Sequence, residues 1–128
     1  MMTEWERTFE VLVPVEALER AADRWAEGRA LLLNANKPGY SERFTIDSGQ
    51  YELLVDAILR SSETLANDRG EVRLKDIVAT VQLELQDHPK FPGGRLTNYV
   101  RYVKVDLEAR GYLRRVDGSG PQRLRRRP

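Results

Sequence analysis

The strongest constraint in the sequence is a helical stripe near the end of the chain. In LTNYVRYVKVDLEARG, residues 96 to 111, Leu96, Val100, Val103 and Leu107 recur at spacings of four, three and four, and Gly111 stands where a helix C-cap belongs. A second stripe, Leu74, Ile77, Val78, Val81 and Leu85, lies upstream in EVRLKDIVATVQLELQ. Two such faces must be buried against something. A chain of 128 residues, 41% apolar and 32% charged, is long enough for one core and too short for two comfortable ones.

The remaining segments supply what packs on those helices. After Pro14, Val15, Leu18, Ala22 and Trp25 predict a helix over 15–27 with its apolar face on those four residues, ended by Gly28. The run Leu31 to Leu33, turn chemistry from Asn36 to Gly39, and Phe44 and Ile46 at period two predict a hairpin. Asp47 or Ser48 can cap a helix whose face is Tyr51, Leu54, Val55 and Ile58, and the polar stretch SSETLANDRGE is expected to break it. Val72 and Arg73 form a short extended lead into the next helix. GYLRRV and QRLRRR flank a turn of Asp117, Gly118, Ser119, Gly120 and Pro121, predicting a second hairpin. The fold class is therefore α+β: an N-terminal helix and hairpin over residues 1–46 and a helical unit with a terminal hairpin over 47–128, together one compact domain. Trp5 and Trp25 are expected in the core or at a dimer interface.

Several function classes lose their support at once. With no cysteine there is no disulfide framework, thiolate nucleophile or zinc ribbon. The only histidine, His88, sits beside a proline in a connection and has no second His or Cys with which to hold a transition metal. Gly118-Ser119-Gly120 lacks the Gly-Lys-Ser/Thr of a phosphate loop, and Ser48-Gly49 lacks the glycines of a nucleophile elbow. The expectation is a protein with no catalytic residues, no cofactor and no metal. The acidic N-terminus and the short apolar run Val11 to Val13 resemble neither a secretory leader nor a membrane span, so the chain is expected to be cytoplasmic and free of the membrane.

Charge is the informative feature that remains. Residues 1–90 carry 11 Lys and Arg against 17 Asp and Glu, net −6, while residues 91–128 carry 10 against 3, net +7. A local basic field of this kind steers polyanions even when the whole chain is nearly neutral.

The order of short strand, helix, connection, helix and basic hairpin resembles a winged helix-turn-helix. GEVRLKDIV is similar to the entry into the first helix of that motif, and VDLEARGYLRRVDGSGPQRLR to a recognition helix running into its wing. The chain as a whole, through LLLNANKPG and FPGGRLTNYVRYVKVDLEARG, also resembles a small bacterial winged-helix family of unassigned function. One departure stands out: Asp87 to Arg95 spans nine residues, where a helix-turn-helix proper uses three or four.

The resemblance implies a fold, a winged helix-turn-helix with an N-terminal helix and β-hairpin extension, and a role, DNA binding with transcriptional regulation. The helix over 96–110 would enter the major groove and the 112–126 wing would follow the backbone. Arg95, Thr97, Asn98, Arg101 and Tyr102 are the helix candidates: arginine for phosphate or guanine edges, the Asn98 amide for adenine, the hydroxyls of Thr97 and Tyr102 for phosphate. Arg115, Arg123, Arg125 and Arg126 are the wing candidates, each neutralised phosphate releasing counterion. Double-stranded DNA and a second copy of the chain are the expected partners.

A plainer reading of the same residues stays open. Arg101, Lys104 and Asp106 suit a solvated helix face laced with ion pairs, Glu108 would repel phosphate, and Arg125 to Arg127 suit a frayed tail. On that reading the chain is a winged-helix protein–protein interaction module, its basic half engaging a partner or acids such as Glu16, Glu19 and Asp23.

Overall fold

A computed structural model describes residues 9–128; Trp5 lies outside them. The described residues form a mixed α+β structure of four helices and two antiparallel sheets: α1 (Val15–Ala26), β1 (Arg29–Leu33), β2 (Ser41–Asp47), α2 (Ser48–Thr64), β3 (Glu71–Arg73), α3 (Leu74–Leu85), α4 (Leu96–Ala109), β4 (Leu113–Arg115) and β5 (Arg123–Arg126). β1 and β2 make a hairpin, and the second sheet has the order β3-β5-β4.

The two stripes that constrain the fold are buried as their spacing requires. Leu96, Val100, Val103 and Leu107 of α4 and Leu74, Ile77, Val78, Val81 and Leu85 of α3 all lie in one cluster with Leu54 and Ile58 of α2. Ala30, Leu32 and Ile46 of the hairpin join the same cluster, as do Leu113 and Leu124 of the second sheet. The N-terminal hairpin and the helical unit thus share one core.

α1 turns a different face inward from the one its large residues suggest. Ala17 and Ala21 are buried with Val13, Leu33 and Ala109, whereas Val15, Ala22 and Trp25 are exposed and Leu18 is half-buried. Alanine, with nothing beyond Cβ, lets the helix axis approach the hairpin and the end of α4 closely; a face built on Val15 and Trp25 would hold it off. The Trp25 ring instead meets Tyr51 edge-on at 5.8 Å. Gly28, at φ +79, closes the helix by donating its N–H to the Trp25 carbonyl.

The polar stretch SSETLANDRGE ends α2, but only after its first four residues, at Thr64. Ser61 and Ser62 are buried, and their hydroxyls donate to the carbonyls of Ala57 and Ile58 one turn back, at 2.7 and 2.5 Å. Bonded in this way, a serine behaves as a small core residue. At the other end Asp47 caps α2 by accepting from the Gln50 N–H at 3.1 Å.

The long connection between α3 and α4 is pinned at three points. Phe91 is buried in the core, Lys90 pairs with Asp47 at 3.1 Å, and the Gln50 side chain donates to the Lys90 carbonyl at 2.6 Å. The hydrogen bond from Lys90, with the Gln50 N–H, holds the Asp47 carboxyl below its ordinary range.

The arginine-rich stretch is not a frayed tail. Arg123–Arg126 is the central strand of its sheet, in register with Glu71–Arg73 on one side and Leu113–Arg115 on the other. Arg127 continues the chain by donating its N–H to the Tyr112 carbonyl, and its guanidinium lies 5.8 Å from the Tyr112 ring centre.

Candidate nucleic-acid interface

Helix α4 carries the site, and its two halves have different surroundings. At the C-terminal half the face expected to meet solvent is occupied. Asp106 is fully buried and accepts three hydrogen bonds: from the Leu33 N–H of β1 at 2.9 Å, the Tyr51 hydroxyl of α2 at 2.5 Å and Arg110 Nε at 3.0 Å. Burial pushes its carboxyl up from the carboxylate range, and Arg110 with the two neutral donors pulls it back. Arg110 stays protonated beside it, its pKa raised by that carboxylate against the cost of burial. Asp106 is therefore a junction of three elements and no part of a solvated ion-pair face.

Lys104 is the second correction. It is buried, donating to Gln122 Oε1 at 2.7 Å and to Glu108 Oε2 at 3.3 Å. Gln122 in turn accepts the Leu74 N–H through its carbonyl, so α3, α4 and the segment leading into β5 meet there. Burial lowers the Lys104 pKa, Glu108 raises it, and Arg115 and Arg101 lower it further. Those two arginines come from different elements, α4 and β4.

The N-terminal half of α4 is open. Arg95, Asn98 and Arg101 are exposed and Thr97 is half-buried. The side chains of Arg95, Arg101 and Arg115 make no hydrogen bond or ion pair among the described residues. Tyr102 is turned elsewhere: its half-buried ring packs edge-on against Phe44 of β2 at 5.2 Å, committing it to the hairpin. Val105 is half-buried and lines a small concavity with Leu12, Asn34 and Ala35.

The arginines of β4 and β5 divide. Arg115 is exposed, whereas Arg123 and Arg125 share the two oxygens of Glu71, at 2.8 and 3.1 Å, and the Glu71 side chain is only 4% exposed. Arg126 pairs with Glu63 of α2. One buried carboxylate between two guanidiniums is held by charge-assisted bonds from both sides, and with Arg126 these cations tie β5 to β3 and to α2. Among the described residues, Glu16, Glu19 and Asp23 take no part in these pairs. Sequence reasoning missed Glu71 and Glu63 because they lie some sixty residues from their partners; the alternation of Arg123 and Arg125 about Leu124 was the one available signal.

Among the described residues, no group of three His, Asp or Glu could hold a metal ion and no helix is long and apolar enough to cross a membrane. Searches of curated proteins and of solved structures found no match. The pattern of a family of unknown function, DUF6958, matches residues 29–124, from the first residue of β1 into β5. With three quarters of its length matched, from β1 into β5, the chain belongs to that family.

Proposed function

We propose that this protein binds duplex DNA as a winged helix, with the N-terminal half of α4 in the major groove and Arg115 on the adjacent backbone. The observation that carries the reading is the placement of Arg101 and Arg115. They come from different elements, are both exposed, and their side chains have no acid partner among the described residues. Two uncompensated guanidiniums across the helix–wing junction favour phosphates on either side of a groove. Asn98, exposed between Arg95 and Arg101, is placed to read a base edge, in keeping with recognition helices that read with their first turns. The winged-helix reading is supported by the order α2, β3, α3, α4, β4, β5 and by β5 lying between β3 and β4. Transcriptional regulation is the role that sequence-selective binding of this kind would serve.

The test is fluorescence anisotropy of a labelled mixed-sequence duplex from low to physiological salt. The reading expects binding whose log-log salt slope is about −2 or steeper, roughly −0.9 for each phosphate contacted. Absence of binding at low salt sinks it.

A second reading rests on Arg123, Arg125 and Arg126, whose charges are met inside the fold. If those pairs are the purpose of the basic stretch, the chain is a protein-interaction module, and pull-down replaces the duplex titration.

A further inference from the structure

Helix α2 carries an apolar groove whose floor packs against the core. Tyr51, Val55 and Leu59, one turn apart, are half-buried and line a trough of about 520 Å³ that ends at Glu63 and Arg126. A second trough of about 720 Å³ starts from Leu59, Glu63 and Arg126 and runs past Ala66 to Arg69, Tyr112 and Arg127. The shared residues make the two one continuous groove. Two exposed aromatic side chains stand at its ends, Trp25 beside Tyr51 and Tyr112 beside Arg127.

Charge along the groove is polarised. The Tyr51 end carries Glu52 and Asp56, both exposed. Asp56 is taken by Arg60, while Glu52 has no partner among the described residues. The far end carries Arg69, Arg126 and Arg127, with Glu63 the one acid among them. Neither Arg69 nor Arg127 has an ion-pair partner among the described residues.

From this polarity we infer that the groove is an isologous interface occupied by a second copy of the chain, α2 lying antiparallel to its counterpart across a twofold axis at Leu59. The arithmetic of a helix selects that axis. Antiparallel pairing about residue 59 sets residue 52, about 10 Å from the centre at 1.5 Å per residue, just beyond the Thr64 end of the partner's α2. Ala66, Arg69 and Arg127 line the groove at that end, so Glu52 meets the partner's basic end, and the same contact repeats by symmetry. Leu59 meets itself, and the Trp25–Tyr51 end faces Tyr112 of the other copy, giving an apolar centre with aromatic and charged rims. A parallel pairing would set Glu52 on Glu52 and Arg127 on Arg127, which repulsion opposes. The inference does not depend on duplex binding, since none of the groove's residues belongs to the Arg95–Arg101 and Arg115 face.

Sedimentation velocity of the full chain tests it, with circular dichroism as the check on folding. The wild type is expected to form a dimer that weakens with salt. Glu52→Arg and Arg69→Glu, both at exposed positions, should each weaken the dimer at least roughly tenfold, because each sets like charges face to face. The double variant, which swaps the signs on both copies, should recover most of that loss. A wild type monomeric at tens of micromolar overturns the inference, as does a dimer that ignores both single reversals or a double variant no tighter than either. DNA binding that survives in a monomer would leave the proposed function standing while this interface falls.

Discussion

Tyr51 donates its hydroxyl to Asp106 at 2.5 Å, joining the first turn of α2 to the last turns of α4 through a carboxylate that has no contact with solvent. Arg110 shares that carboxylate and lies 5.8 Å from the centre of the Tyr51 ring, so the three groups act as one unit. This unit, with the Leu33 N–H, fixes the hairpin and α2 relative to the helix that carries the candidate interface.

Tyr51 sets a limit on alkaline stability. Burial, and then the charge of Asp106, raise its pKa above the ordinary tyrosine value of about 10. A raised folded-state pKa means that its contribution is complete below the unfolded value and is lost as pH climbs toward the folded one. Tyr51→Phe should cost about 1–2 kcal/mol at neutral pH, where Asp106 loses a donor. Above pH of about 10 the gap between variant and wild type should narrow, because only the wild type must keep a buried phenol protonated. Urea unfolding at neutral and alkaline pH measures both; a constant gap contradicts the assignment.

Removing the negative charge of Glu71 should affect stability and binding in opposite directions. Glu71→Gln leaves Arg123 and Arg125 without their shared carboxylate. It should destabilise by about 2 kcal/mol, less than a fully buried pair because both guanidiniums are about a third exposed. If the β4–β5 hairpin faces a duplex, the cation released at Arg123 should steepen the salt slope by about 0.9. An unchanged slope would confine Arg123 and Arg125 to the fold.

Arg101→Ala with Arg115→Ala should weaken binding to every duplex alike and flatten the salt slope by about 1.8, two phosphate contacts' worth, with little change in melting temperature. Asn98→Ala should leave mixed-sequence binding intact and lower affinity only for a preferred sequence. Anisotropy on a random duplex and on a selected one separates the two effects, and equal loss on both from Asn98→Ala would exclude base reading there.

Gly111→Ala should destabilise by more than about 1 kcal/mol although it adds one carbon. At φ +83 the residue is in the left-handed region, and a Cβ would lie 2.9 Å from the Phe9 carbonyl oxygen and 3.0 Å from that of Glu10. The N-terminal segment crosses the end of α4 there, held by the Leu12 N–H on the Ala109 carbonyl. Thermal unfolding reads the loss; a melting point at the wild-type value would mean that this segment packs elsewhere.

The sequence by itself determined whatever depends on local periodicity and local backbone chemistry. The α3 and α4 stripes, the period-two hairpin, the Asp47 cap and the glycines ending α1 and α4 were all legible, because a helix face, a strand face and a cap are each set within a few residues. Arg95, Asn98, Arg101 and Arg115 were legible as exposed for the same reason. The tertiary structure alone decided which polar residues leave the surface. Asp106 and Lys104 have the spacing of an exposed face, yet they are buried because partners from β1, α2 and the β5 approach converge on them. Arg123, Arg125 and Arg126 read as free cations until β3 and α2 bring Glu71 and Glu63 to them. Ala17 and Ala21 prevailed over Val15 and Trp25 because close approach of two elements rewards the smallest side chain, a preference that hydrophobic periodicity within one helix cannot express.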